Sequence, residues 1–95
     1  MAIKKKILIV EDERNICNFL TAVLKANNYD VIVSHTGAEA YHMITSHCPD
    51  VVLLDLGLPD IDGLSILSAV REWTQLPIVV ISARAQERDR VEALD

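Results

Sequence analysis

Four short apolar runs along the chain predict four buried β-strands. The first is Ile7–Val10, the second lies within Tyr29–His35, the third within Pro49–Asp55, and the fourth is Leu76–Ser82. Val, Ile and Leu fill these runs without a regular alternation of apolar and polar residues, which is typical of strands covered on both faces. Such strands are expected in a parallel sheet with helices on both sides.

Between these runs, apolar residues recur at the spacing of one helix face. The first helix is predicted to end at Asn27–Asn28, and the second to begin with the capping box Thr36–Glu39 and continue through about Ser46. Asp62 is predicted to cap the third helix, and Gln86–Asp95 to begin a fourth. The apolar residues that share one face of the first helix are Ile16, Phe19, Leu20, Val23 and Leu24. The residues expected to face inward are Ala40, Met43 and Ile44 in the second helix, Ile66, Leu67, Val70 and Trp73 in the third, and Val91 and Leu94 in the fourth.

The order of elements is β-α-β-α-β-α-β-α, with short connections. The predicted fold class is therefore α/β: a doubly wound parallel sheet in three layers, α/β/α, with right-handed crossovers. In open sheets of this kind, functional residues collect at the carboxyl ends of the strands. Glu11 and Asp12 follow strand one, Asp55 ends strand three and Ser82 ends strand four, so three acids and one hydroxyl are expected to meet at one edge.

A cluster of carboxylates is stable at neutral pH when a cation binds among them, because like charges repel. Oxygen ligands in small number suit Mg²⁺, which accepts one or two carboxylates and keeps several waters. We expect Asp12 and Asp55 to bind Mg²⁺ directly, together with the backbone carbonyl of Gly57, while Glu11 acts through a water molecule. The sequence therefore predicts a magnesium site at this edge.

The acids also have a plainer interpretation. An acid at a strand end is often only a helix cap or a solvated loop residue, and Asp55 alone does not distinguish these possibilities. Its combination with Glu11 and Asp12 at the neighbouring strand end favours a functional site. Asp60 and Asp62, which lie beyond the turn, are interpreted as loop solvation and helix capping rather than as metal ligands.

Composition narrows the classes of function. The chain has 95 residues, enough for one domain, and its net charge of −5 argues against binding of nucleic acid or an anionic membrane by this segment. Lys4–Lys6 are interpreted as a solvated flank. Cys17 and Cys48 form no CxxC pair, and we see neither a secretory signal nor an apolar stretch of about 18 residues. A cytoplasmic location is therefore expected.

The residues at these strand ends resemble those of receiver domains of two-component response regulators. The matching segments are Glu11–Asp12, Leu53–Gly63 around Asp55, and Ser82–Arg84 after strand four. They occur in the family's order across nearly the whole chain. Four segments look most like the regulators of Kdp-type potassium-uptake operons, in the OmpR/PhoB winged-helix subfamily: Leu54–Gly63, Glu72–Trp73, Leu76–Arg84 and Ala93–Asp95.

The resemblance implies a flavodoxin-like (CheY-like) fold and a regulatory domain rather than an enzyme. Asp55 would be the phosphoacceptor, taking a phosphoryl group from a sensor histidine kinase with Mg²⁺ held by Asp12, Asp55 and the Gly57 carbonyl. Any self-phosphorylation would be a magnesium-dependent transfer to this same aspartate. Ser82 would then donate its hydroxyl to the acyl phosphate as the switch residue. The change would control a C-terminal DNA-binding domain in the full-length protein.

The resemblance also implies roles for the loop after Asp55, where Pro59 and Gly63 would shape the chain and begin the next helix. The family's domain has a fifth strand and a fifth helix, and a lysine on that strand pairs with the phosphoryl group. We therefore expect residues 1–95 to form an incomplete receiver domain without its DNA-binding domain and with slow or undetectable phosphorylation. Without the fifth strand and helix, the apolar edge Pro77–Ser82 would be exposed and the apolar face of the first helix under-covered, which would favour a homodimer or a strand-exchanged oligomer.

Three alternatives stay open at this point. An aspartyl hydrolase of the haloacid-dehalogenase kind needs a second acid two residues after the first, where this chain has Gly57. A flavodoxin-like nucleotide binder needs a Gly- or Thr-rich phosphate loop after strand one, where Glu11–Glu13 would repel a phosphate. The third is a signalling-incompetent receiver fragment that acts only as an interaction or packing module.

Overall fold

The computed structural model describes residues 4–58 and 60–81 of the chain. Within these residues, four strands form one sheet: β1 (Lys6–Val10), β2 (Asp30–Ser34), β3 (Val51–Asp55) and β4 (Ile78–Ile81). All neighbouring pairs are parallel, and the order is β2-β1-β3-β4. The predicted parallel α/β sheet is therefore confirmed.

Three helices connect the strands: α1 (Arg14–Ala26), α2 (Gly37–His47) and α3 (Gly63–Arg71). The predicted capping box at the start of α2 is confirmed, since the Thr36 Oγ1 accepts a hydrogen bond from the Glu39 main-chain N–H at 3.1 Å. The predicted end of α1 at Asn27–Asn28 is confirmed as well, and Asn28 adopts a positive φ of 73° there. No helix among the described residues is long and apolar enough to cross a bilayer.

The main apolar cluster lies between the sheet and the pair formed by α2 and α3. Because side chains alternate across a strand, Leu8 and Val10 belong to this cluster while Ile7 and Ile9 point to the opposite face. The helices contribute Ala40 and Ile44 from α2 and Ile66 and Val70 from α3, as the sequence predicted. Burial of these aliphatic side chains fixes the strands whose ends carry the acids.

One residue expected to face inward does not, and two residues of the predicted apolar face of α1 are exposed. Phe19 and Val23 on α1 are 67% and 41% exposed, and Trp73 is 51% exposed and lies beyond the end of α3. Periodicity correctly groups the apolar residues of α1, but among the described residues the sheet covers only part of that face, with Cys17 as the one buried side chain of the helix. The inward position assigned to Trp73 is therefore wrong, whereas the exposure of Phe19 and Val23 agrees with the under-covered apolar face expected for this helix.

The fourth strand also differs from its prediction. It begins at Ile78 instead of Leu76, and its two central residues, Val79 and Val80, are 50% and 42% exposed. The general expectation of cover on both faces is therefore wrong for this strand. The expected exposed edge agrees with the structure, since among the described residues β4 pairs only with β3. Ser82 and the predicted fourth helix, Gln86–Asp95, lie outside the described residues.

Candidate functional site

Three acids meet at the carboxyl edge of the sheet, as the sequence predicted. The strands β1 and β3 are neighbours with Val10 opposite Leu54, so the residues that follow in each strand come together. One carboxylate oxygen from each of Glu11, Asp12 and Asp55 lies within 4.8 Å of the other two. We call these three residues the acidic cluster. Glu11 and Asp55 are fully buried and Asp12 is half-buried.

The acidic cluster has the chemistry of a divalent cation site. Three carboxylates in so small a space repel one another, and the repulsion is stronger where burial removes water. A hard cation that prefers oxygen ligands would neutralise part of this charge, and the spacing of the oxygens allows it to contact more than one carboxylate. The residues present therefore fit a hard, oxygen-liganded cation.

Asp55 is held in place by the turn that follows it. The Gly57 main-chain N–H donates a hydrogen bond of 3.0 Å to the Asp55 Oδ1, which orients the carboxylate. Gly63, the first residue of α3, packs against the same backbone: a Cβ atom there would lie 2.8 Å from the Leu56 Cα and 3.0 Å from the Asp55 carbonyl oxygen. The position of Asp55 thus depends on β3, on the turn and on α3.

The structure locates only part of the rest of the predicted site. The structure places Gly57 in the turn beside Asp55, and the role of its carbonyl as a metal ligand remains a prediction. Ser82, the predicted switch hydroxyl, and Pro59, expected to shape the loop, lie outside the described residues. The acidic cluster is therefore the part of the predicted site that the structure brings together.

The main chain at Glu11 is fixed by two side chains that sequence reasoning missed. The Cys17 thiol donates to the Glu11 carbonyl oxygen at 3.1 Å, and the His35 Nδ1 lies 3.0 Å from the same oxygen. Because a carbonyl only accepts, we assign the proton to Nδ1 of His35. Burial, and then the charges of Glu11 and Asp12, raise the pKa of the Cys17 thiol above 9.0. The helical spacing of apolar residues in α1 could have identified Cys17 as a buried residue of that helix.

Asp60 and Asp62 lie in the β3–α3 loop (described residues 56–58 and 60–62), and both cap helices. The Asp62 Oδ1 accepts from the Leu64 main-chain N–H at 3.1 Å, so the predicted cap of α3 is confirmed. Asp60 instead accepts from the N–H groups of Gly37 and Ala38 at the start of α2, at 2.8 and 3.2 Å. The Gly37 hydrogen bond is the main reason why the pKa of Asp60 lies below its usual 3.8.

Comparisons with known proteins agree on one family. A family model described as the response regulator receiver domain matches residues 7–95. The transcriptional regulatory protein KdpE of Staphylococcus aureus is 45% identical over 92 residues, which cover 97% of this chain and 40% of that protein. The expected resemblance to Kdp-type regulators is thereby confirmed, and this chain spans about 40% of the length of this relative.

Solved structures give the same result. The BeF3-activated N-terminal receiver domain of RstA from Klebsiella pneumoniae is similar with a TM-score of 0.84 and 32% identity, covering 95% of this chain and 77% of that one. The structure of the histidine kinase ThkA in complex with the response regulator protein TrrA contains a chain similar to this one with a TM-score of 0.78 and 32% identity. That similarity covers 88% of this chain and 73% of that one. These matches confirm the flavodoxin-like fold and favour the receiver interpretation over the hydrolase and the nucleotide binder.

Proposed function

This chain belongs to the response regulator receiver domain family, and we propose that it accepts a phosphoryl group on Asp55 from a phosphohistidine of a sensor histidine kinase. The single observation that carries the proposal is the placement of a buried Asp55 carboxylate beside those of Glu11 and Asp12. Membership of the family supports the same role, since receiver domains are regulatory domains.

In the proposed transfer, a carboxylate oxygen of Asp55 attacks the phosphorus atom of the donor. The new O–P bond gives an acyl phosphate, while the P–N bond of the phosphohistidine breaks and its electron pair stays on the imidazole. The Gly57 N–H keeps the Asp55 carboxylate oriented through Oδ1 during the attack. When bound, Mg²⁺ would neutralise part of the negative charge on the transferred phosphoryl group.

We assign the ligands of Mg²⁺ as the sequence suggested. Asp12 and Asp55 would bind it directly, the Gly57 carbonyl would add a third protein oxygen, and Glu11 would act through water. The buried position of Glu11 and its hydrogen bond from the Glu13 main-chain N–H, at 3.0 Å, support an orienting role for Glu11. Ser82 would donate its hydroxyl to the acyl phosphate, which would make it the switch residue.

The partners proposed follow from the relatives. In the full-length protein, this receiver domain would control a C-terminal DNA-binding domain, consistent with the transcriptional role in the relative's name. The histidine kinase partner is supported by the ThkA–TrrA complex. We further propose a cytoplasmic location, where such a kinase domain and DNA are both accessible. No observation among the described residues favours the alternative of a signalling-incompetent packing module.

The experiment is phosphorylation by acetyl phosphate, followed by intact-mass and peptide mass spectrometry. We expect a slow gain of one phosphoryl group on Asp55 over a long incubation with Mg²⁺, in keeping with the slow phosphorylation expected of residues 1–95. After chelation we expect none, because transfer to this aspartate is magnesium-dependent in the proposed mechanism. Asp55→Asn should remove the adduct, while Glu72→Gln, which removes the same charge at an exposed position, should keep it. A phosphoryl group on any other residue, or labelling that does not need Mg²⁺, would contradict the proposal.

We also propose that two copies of the chain associate through β4. Its Val79 and Val80 are exposed, and an apolar edge strand offers unpaired backbone groups to a second copy. Sedimentation over a wide concentration range should show self-association that Val79→Lys reduces. The matched control Leu64→Lys, at an exposed apolar position on α3, should leave it unchanged. A monomer at every concentration would refute this prediction.

A further inference from the structure

The β3–α3 loop is attached to the start of α2 by a carboxylate that belongs to neither helix. One oxygen of Asp60, Oδ1, accepts from the Gly37 N–H at 2.8 Å, and the other, Oδ2, accepts from the Ala38 N–H at 3.2 Å. The next N–H of the same turn, that of Glu39, is satisfied by Thr36. Asp60 therefore caps the two N–H groups of α2 that the local capping box does not reach.

A second observation shows that the loop and the helix start are closely packed. A Cβ atom on Gly37 would lie 2.7 Å from the Ile61 Cβ and 3.1 Å from the Ile66 Cδ1. Any larger residue at position 37 would therefore push the loop away from α2. Ile61 is half-buried and packs against the main apolar cluster, so the contact continues into the core.

The charge of Asp60 suits this position. The positive end of the α2 dipole and the two N–H donors favour the ionised carboxylate, which agrees with the lowered pKa of Asp60. The carboxylate is therefore charged at neutral pH, when both hydrogen bonds are at full strength.

The attachment lies on the segment that carries the Asp55–Gly57 turn. Asp55 ends β3, and of the described residues between it and Asp60, Leu58 is buried in the core. We propose that Asp60 is a positioning residue, which holds the β3–α3 loop on α2 and thereby keeps the Asp55–Gly57 turn in the geometry of the metal site. This inference rests on the proposed function, because it deepens the account of the same site.

The test compares Asp60→Ala and Asp60→Asn with a matched control, Glu72→Ala, which removes a charge at an exposed position outside the contact. Main-chain amide shifts are recorded first without metal and then during titration with Mg²⁺. In Asp60→Ala we expect the Gly57 amide to shift in the metal-free protein. We also expect the Mg²⁺ dissociation constant to rise about tenfold, as for other residues that orient metal ligands indirectly. Asp60→Asn, which keeps an acceptor oxygen, should recover part of both effects, and Glu72→Ala should match the unsubstituted chain.

The outcomes separate the two proposals. If only the Gly37 and Ala38 amides change in Asp60→Ala, while the Gly57 amide and the Mg²⁺ affinity do not, Asp60 is merely a helix cap and the inference is overturned. If the unsubstituted chain does not bind Mg²⁺, the proposed function fails, and the metal-free Gly57 shift alone decides the positioning role. Should Asp60→Ala fail to fold, Gly37→Ala tests the same contact from the helix side, and an unchanged Gly57 amide there overturns the inference.

Discussion

Asp55→Asn should make the chain more stable than the unsubstituted protein when divalent cations are removed by a chelator. Asp55 is fully buried and its carboxylate lies within 4.8 Å of those of Glu11 and Asp12. Two like charges about 5 Å apart repel by about 3 kcal/mol at an effective dielectric constant of about 20. Asn keeps the Oδ1 that accepts from Gly57, so we expect a net gain of about 1–2 kcal/mol in the free energy of unfolding.

Urea unfolding with chelator and with Mg²⁺ measures this gain. A ligand that binds only the folded state stabilises it by about 2.7 kcal/mol at a hundred times its dissociation constant, so Mg²⁺ should stabilise the unsubstituted chain. It should stabilise Asp55→Asn much less, which would reverse the order of stability at high Mg²⁺. Asp30→Asn removes the same charge from an exposed position at the start of β2 and should show neither effect. A loss of stability in chelator for Asp55→Asn would refute the electrostatic account of the acidic cluster.

The fold could be predicted from the sequence because its signals are local. Apolar runs without alternation are typical of strands in a covered parallel sheet, and the structure places both Ile7–Val10 and Val51–Leu54 in one. Ile7–Val10 is buried on both faces, while Val51–Leu54 alternates between half-buried and buried residues. The same local logic located Glu11, Asp12 and Asp55, because parallel strands bring their carboxyl ends to one edge.

The sequence could not show which apolar helix faces are covered by another element, or where the third helix ends. Periodicity placed Phe19 and Val23 on one face of α1, but periodicity cannot show whether another element covers that face, and both side chains are exposed. Trp73 was assigned to the buried side of α3 because its spacing fits, although the helix ends at Arg71. The Trp73 error therefore concerns the end of the helix, which the spacing of apolar residues alone does not mark.

Long-range polar contacts were equally inaccessible. The Thr36 cap lies within four residues of its donor and was predicted, whereas Asp60 bonds to Gly37 across 23 residues and was not. Likewise, the convergence of Cys17 and His35 on the Glu11 carbonyl needs the packing of α1 against β1 and β2 before it can be seen. A capping residue can be recognised in a sequence when it caps the helix that directly follows it, as Thr36 does. A residue that caps a helix distant in the sequence, as Asp60 does, cannot.

Gly63→Ala should destabilise the chain, although the same change at an exposed helical position stabilises a protein. At an ordinary position in a helix interior, Ala is favoured over Gly by about 1 kcal/mol. At Gly63 the new Cβ would lie 2.8 Å from the Leu56 Cα and 2.9 Å from the Leu56 Cδ2. Overpacking of this kind typically costs about 1–3 kcal/mol. Here the nearest atom belongs to the backbone, which can move less than the end of a flexible side chain. We expect a net loss of about 2 kcal/mol in the free energy of unfolding.

Gly63→Ala tests the geometry of the metal site as well as the packing of α3, because the new Cβ would also approach the residue that carries the site's carboxylate. The Cβ would also lie 3.0 Å from the Asp55 carbonyl oxygen, so α3 can accommodate it only by moving away from the turn that orients the Asp55 carboxylate. Gly63→Ala should therefore weaken Mg²⁺ binding in addition to lowering the urea midpoint. Ser68→Ala, at an exposed position of the same helix, provides the control and should raise the free energy of unfolding by at most about 0.5 kcal/mol through helix propensity, with no change in Mg²⁺ affinity. If Gly63→Ala were as stable as Ser68→Ala and bound Mg²⁺ equally well, the close approach of α3 would have no part in positioning Asp55.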